Sequence, residues 1–470
     1  MSSSMLSNIS ISISDDESDT GRTKVRGRWR RKKLFYRSNR GFFDRALRLL
    51  ARWWPLVVLV LAMTLLVYEF SKLGRKRSEA VKVDQPHSGD FHDKKTNLNR
   101  LDHTTRVVNG VRAVCLKMLE PEELKKLVFP ENVVHSSPVK SVIYRSDSGR
   151  YPLEGDTTLR HQNRTLRFNL FSGYQTLEER EESFHVKNNA EVHCGFYSDN
   201  GGFRISDEDK RYMQDCKAVV STCAFGGGDE LYQPVGLSES SLSKVCYVAF
   251  WDEITRVSQE GDGNKIGNDS MIGKWRVVVV RDLPFSDQRL NGKIPKMLSH
   301  RLFPKARFSI WVDSKSQLRR DPLGVLEALL WRTGSVFAIS EHGARTNLYD
   351  EAKAVVKKHK ATPEEVDEQI KQYRYDGIPN DRRYHGKKAL AEASIIVREH
   401  TLLTNLFMCL WFNEVVRFTS RDQLSFPYVL RRLRIPNMNM FPVCTRKDLV
   451  NSMGHKRKVK PLGRSVESVE

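Results

Sequence analysis

No His-x-x-His or His-Glu-x-x-His occurs anywhere in the 470 residues, so the usual helical frame for a metal-activated water is missing. The seven cysteines (115, 194, 216, 223, 246, 409 and 444) match no zinc-ligand spacing, and Cys216 and Cys223 are the only close pair. Long apolar runs are scarce: one charge-free stretch, Trp53 to Tyr68, stands alone, which excludes a multi-span membrane protein. There is no internal repeat, and collagenous and coiled-coil architectures are excluded by composition. Acidic residues are in deficit, 57 Asp+Glu against 78 Lys+Arg, for a net charge of +21. Such a chain suits polyanions: nucleic acid, anionic lipid, or substrates bearing phosphate or uronic acid. What is present is 39% hydrophobic and 29% charged residues, enough apolar content for a packed core. The length allows roughly two to four folded units, one of them large.

Charge placement orients the chain. Residues 1–52, read as a cytosolic tail, hold 13 Lys/Arg against five Asp/Glu. The apolar run, closed by Glu69 and Phe70, reads as one span over 53–70, slightly short of the roughly 20 residues of an average bilayer. Trp53, Trp54 and Tyr68 suit its interfaces. Ser71-Lys-Leu-Gly-Arg-Lys-Arg77 follows instead of a small-residue cleavage site, so the span is an uncleaved signal anchor. The basic excess before it predicts type II topology, with a lumenal C-terminal part in a thin, early-secretory membrane. The Arg28–Lys33 run is then a topology and lipid-headgroup determinant, and no nucleic-acid partner is expected. Disulfides persist in a lumen, and an odd cysteine count leaves at least one thiol free or intermolecular. Asn163-Arg-Thr and Asn268-Asp-Ser mark Asn163 and Asn268 as glycosylation acceptors.

Residues 71–110 are polar and read as a stem, 111–210 as an N-terminal lumenal extension in which Ser206 caps a helix, and 456–470 as a basic tail. Over 211–455 the pattern changes. Lys217–Ala224, Lys244–Trp251, Trp275–Val280 and Phe308–Val312 are apolar runs without alternation, and Val336–Ser340 and Ala393–Val397 add two more. Such runs indicate strands buried on both faces, hence an α/β domain with a mainly parallel sheet flanked by helices. Helices are expected over Leu290–Leu302, Pro322–Trp331, Asn347–Tyr373 with Thr362-Pro-Glu-Glu as a cap, Leu402–Phe418, and from Thr419 to Arg434.

In open α/β sheets ligands sit beyond the carboxyl ends of strands. Four such places are Gly226–Asp229, Asp252, Asp282 and Asp313. The turn at Gly226 and Gly227 would bring backbone N–H groups to a nucleobase or phosphate. Asp252 would accept from a ribose or cap a helix. Asp313, at the tip of a hydrophobic strand, would hold Mg²⁺ or Mn²⁺ against a nucleotide diphosphate. Nucleotide-sugar transferases of the A-type fold usually show Asp-x-Asp here, whereas this chain reads Asp313-Ser314-Lys315. Either Asp313 and a later residue such as His455 hold the metal, or Lys315, Arg319 and Arg320 offset diphosphate charge without one. Arg421 is a further candidate contact to the nucleotide sugar. Asp422 would bind or deprotonate an acceptor hydroxyl, or serve the helix dipole. His342 is a further candidate contact to metal or phosphate.

Three stretches carry a resemblance: Phe308-Ser-Ile-Trp-Val-Asp-Ser-Lys, Val336-Phe-Ala-Ile-Ser-Glu-His, and Leu410-Trp-Phe-Asn-Glu-Val-Val-Arg-Phe-Thr-Ser-Arg-Asp-Gln-Leu-Ser-Phe426. Over residues 190–455 the chain resembles a plant family long filed under a domain of unknown function. Its members include a mucilage-related probable hexosyltransferase and a turgor-regulation protein described as an alkaline ceramidase. That family also carries Trp-hydrophobic-Asp-x-Lys at this strand end. The resemblance implies a plant Golgi enzyme of glycosyltransferase A-type-like fold, with a nucleotide-sugar donor. It would transfer a hexosyl or glycuronosyl group to a cell-wall polysaccharide such as pectin. Ceramide amide hydrolysis and a non-catalytic membrane-anchored scaffold are the alternatives.

Overall fold

Strands covered on both faces read as continuous apolar runs, and eight segments here join in one sheet. In chain order they are β1 (Ala218–Ala224), β2 (Cys246–Asp252), β3 (Met271–Ile272), β4 (Trp275–Val280), β5 (Phe308–Val312), β6 (Phe337–Glu341), β7 (Ala391–Glu399) and β8 (Met438–Phe441). This computed structural model describes residues 63, 105–108, 111–131, 137–144, 176–186, 188–194, 203–384, 386–435 and 437–454. The predicted span and stem (apart from Met63 and 105–108), Asn163 and His455 lie outside them. Among the described residues no helix is long and apolar enough to cross a membrane.

The spatial order is β8-β6-β7-β5-β1-β2-β4-β3. Pairs β5–β1, β1–β2, β2–β4 and β6–β8 are parallel, whereas β7 runs antiparallel to both β5 and β6, and β3 to β4. Six of the eight strands therefore point one way, as expected of a mainly parallel sheet, and β7 and β3 run against them, which makes it mixed. Glu341 at the end of β6 pairs with Ala391 at the start of β7, so the intervening connection leaves and re-enters at the same end of the sheet. An antiparallel neighbour results, and no apolar run encodes that direction.

Helices α1 (Asp207–Asp215), α2 (Glu253–Gly261), α3 (Gln288–Met297), α4 (Leu348–Lys357), α5 (Pro363–Tyr375), α6 (Leu402–Arg417) and α7 (Asp422–Leu433) accompany the sheet. One face, with Val219, Phe250 and Trp311, packs against α3, α6 and α7. The other, with Val220, Ile310 and Ile395, packs against Leu323–Leu330 and Leu116. Fourteen of the sixteen residues of α6 are buried, as an all-round apolar helix requires. The expected caps form: Ser206 Oγ accepts from Asp209 N, and Thr362 and Glu365 make a reciprocal capping box. Leu290–Leu302 is two helices rather than one, with α3 ending at Met297 and a single turn over Ser299–Leu302. Pro295 near the end of α3 supplies no N–H to the helix ladder.

Three disulfides join Cys115 to Cys444, Cys194 to Cys409 and Cys216 to Cys246, leaving Cys223 free. Gly236 sits at φ +71°, and a Cβ there would lie 2.6 Å from the Arg319 carbonyl oxygen. Left-handed strain and a backbone clash combine. Gly236→Ala is therefore expected to cost about 2–3 kcal/mol in denaturant unfolding; an unchanged midpoint would refute the close approach.

Candidate active site

From β1 the chain steps outward through β2 to β4, and β5 then falls on the other side of β1. The carboxyl ends of β1 and β5 thus flank a topological switch point, where open α/β sheets leave a crevice. A cleft lies there with about 780 Å³ of empty space, its open mouth included. The end of β1 contributes Cys223, Gly228 and Asp229. The end of β5 contributes Trp311, Asp313 and Lys315, and the turn before α7 contributes Ser420 and Arg421. From α3 come Arg289, Gly292, Lys293 and Lys296, whose three- and four-residue spacing sets them on one helical face.

Asp313 Oδ1 accepts from the Trp311 indole at 2.7 Å and from Lys296 Nζ at 3.2 Å. Burial alone would raise the pKa of this carboxyl; Lys296, Lys315 and Lys293 outweigh that and hold it below the ordinary carboxylate value. Behind the lysines lies Asp422, whose Oδ2 is 2.8 Å from both Lys293 Nζ and Lys296 Nζ. Its side chain is 3% exposed and does not line the cleft. Despite burial, the two ammoniums hold it far below the ordinary carboxylate range. Burial, with Lys296 adding to it, pushes Lys293 down to about 8 in spite of Asp422. Lys296 moves the other way, because Asp313 and Asp422 together overcome its burial.

Arg421 is buried at 8% exposure, and its Nε has no partner. Its side chain makes no hydrogen bond or ion pair among the described residues, so a guanidinium lines the cleft without a counter-ion. The Cys223 thiol is pushed well above its ordinary pKa by burial and then by Asp313, which makes it a poor nucleophile.

Other expected contacts are engaged elsewhere. The Gly226 amide donates to Asp252 Oδ2 at 2.9 Å and the Gly227 amide to Thr255 Oγ1 at 3.0 Å. Each backbone N–H is a single donor, so these two are used in bracing the turn against α2 and do not line the cleft. Asp252 caps α2 through Thr255 N, which with the Gly226 amide occupies both its oxygens. Arg319 lies away from the cleft, its Nη1 directed at the Lys447 carbonyl, and Arg320 pairs with Asp448. Asp282 pairs with Arg204 at the surface, and His342 Nδ1 accepts from the Ala344 and Arg345 amides. Asn268 is exposed in a turn.

Among the described residues the lining offers a divalent cation few oxygen ligands. Oδ1 of Asp313 is already taken by an ammonium and an indole, and Lys315 stands where Asp-x-Asp would place a second carboxylate. The other lining carboxylate, Asp229, is buried and already partnered. Among the described residues the one group of three potential metal ligands is Cys194, His300 and Cys409, which do not line the cleft, and its sulfurs are joined to each other.

Lys293 and Lys296 are the residues that sequence reasoning missed. The signal was the spacing Arg289-x-x-Gly292-Lys293-x-x-Lys296 within an expected crossover helix, a basic stripe along one face.

Residues 154–455 match a family model described as "TOD1/MUCI70, glycosyltransferase-like domain". Among curated proteins the chain is 39% identical over 297 residues to "Probable hexosyltransferase MUCI70" of Arabidopsis thaliana, covering 61% of this chain and 51% of that protein. It is 33% identical over 298 residues to "Alkaline ceramidase TOD1" of the same plant, covering 61% and 64%. The chain thus spans between half and two thirds of the length of these relatives. Solved structures similar to it include mouse xyloside xylosyltransferase 1 in its apo form (TM-score 0.28, 10% identity, 48% of this chain and 84% of that one). Another is the WbbM bifunctional glycosyltransferase, apo (TM-score 0.29, 12% identity, 57% and 45%).

Proposed function

The chain belongs to the TOD1/MUCI70 glycosyltransferase-like family, and on that premise we propose that it transfers a glycosyl group from a nucleotide-diphosphate sugar to a polysaccharide hydroxyl. The observation that carries this reading is the meeting of Asp313 with Lys293, Lys296 and Arg421 in one cleft at the switch point. In the transfer, the acceptor oxygen bonds to the anomeric carbon and the bond from that carbon to the diphosphate oxygen breaks. The electron pair stays on the diphosphate, and the hydroxyl proton passes to a carboxylate. Asp313 suits that last role: both its hydrogen bonds fall on Oδ1, which leaves Oδ2 to take the proton. The cations stabilise the charge that grows on the leaving diphosphate. Asp422, behind the lysines, orients them and is not a base.

The 39% identical relative's name suggests a hexose as the transferred group. A basic chain suits a carboxylate-rich acceptor such as pectin. Three disulfides suit an oxidising compartment, which supports a Golgi lumenal location behind a single signal anchor. The full-length chain in detergent micelles, given radiolabelled UDP- and GDP-sugars with a pectic acceptor, is expected to label the polysaccharide. Labelled ceramide supplies the competing arm. Fatty acid released from ceramide, with no sugar transferred from any donor, would replace this reading with amide hydrolysis.

A further inference from the structure

Resting on the transferase reading above, we propose that the cleft binds the nucleotide's diphosphate without a divalent metal ion, its charge being met by Lys293, Lys296 and Arg421. Three independent features of the side chains lead there. The first is the ammonium of Lys296, 3.2 Å from the strand-tip carboxylate Asp313 and 2.8 Å from Asp422. It occupies Oδ1 of that carboxylate, which a chelated metal would share, and its side chain is 5% exposed.

The second is the charge count of the lining. Lys315 and Asp229 have partners of their own, which leaves Arg289, Lys293, Lys296 and Arg421 facing Asp313. Arg289 is committed to Asp287 and to the Lys360 carbonyl, and Asp422 offsets one lysine from behind. An excess of positive charge remains. A divalent cation would add to it, whereas a diphosphate would neutralise it.

The third is Arg421. Arg421 is 8% exposed, its buried Nε has no partner, and its side chain makes no hydrogen bond or ion pair among the described residues, so its guanidinium is left to meet a ligand in the cleft. Its planar fork matches two phosphate oxygens at once, which a lysine cannot do. The lysines come from one face of α3 and Arg421 from the turn before α7, so the two elements approach a diphosphate from different sides.

The test is calorimetric titration of UDP and of GDP into the full-length chain in detergent micelles, once in EDTA and once in Mn²⁺. At least one nucleotide is expected to bind in EDTA, with Mn²⁺ changing Kd by less than about threefold. Arg421→Gln should weaken that binding about tenfold or more, equivalent to about 1.4 kcal/mol. The melting temperature of the unliganded variant should not fall, since no partner is lost. Lys293→Gln should weaken binding as well, while Lys296 keeps Asp422 paired. Binding seen only with Mn²⁺ would overturn the metal-free clamp and leave the transferase reading standing. Unchanged affinity in Arg421→Gln would also overturn it. Failure of both nucleotides to bind under either condition would overturn the transferase reading, and this proposal with it.

Discussion

Asp313→Asn is expected to lower the rate of sugar transfer by about 10²–10⁴-fold, the range for removing a general acid–base group, while the chain stays folded. The amide is isosteric, and its oxygen can still accept from the Trp311 indole and from Lys296. Lys296 also keeps its shorter contact to Asp422, so no buried ammonium is left alone. What is lost is the negative charge that takes the acceptor proton. Donor binding should be retained or improved, because one charge repelling the diphosphate has gone. The measurement is steady-state kinetics beside UDP titration and a melting curve. A variant that turns over normally would remove Asp313 from the reaction, and one that merely fails to bind UDP would reassign it to donor binding.

Loss of about 3–5 kcal/mol of unfolding free energy is expected for Asp422→Asn, the cost of breaking a buried pair on one side. Its Oδ2 holds two ammoniums, from Lys293 and Lys296, and the carboxylate is 3% exposed. Without it the cluster retains two buried cations against Asp313. Adding Lys293→Met to Asp422→Asn should recover part of the loss, since one of the stranded charges is removed with its former partner. The pH dependence has a definite sign. The folded-state pKa of Asp422 lies below its unfolded value of about 3.9, so its contribution is complete above about pH 4. It is lost as pH falls below that value toward the folded pKa. The wild type should therefore lose stability over that acid range more steeply than Asp422→Asn, as read from denaturant midpoints at several pH values. A variant as stable as wild type that had lost all transfer would restore Asp422 as the base.

Much of the fold is local and was readable. Unbroken runs such as Trp275–Val280 and Phe308–Val312 are strands buried on both faces, and Ser206 and Thr362 begin helices as their side-chain chemistry requires. The position of Asp313 at a strand tip follows from the run before it. The direction of β7 did not follow, because nine consecutive buried residues pack equally well running either way. Nor did the use of the Gly226 and Gly227 amides, since only the folded turn shows that Asp252 and Thr255 reach them first.

The sequence by itself determined where apolar runs and caps place strands and helices, and which polar residues stand at strand ends, because periodicity and capping act over a few residues. Only the tertiary structure decided which charges meet: Lys296 reaches Asp313 across 17 positions, and Lys293 reaches Asp422 across 129. Ion pairing depends on distance in space and on exclusion of water, and neither exists until the sheet and α3 have closed the cleft.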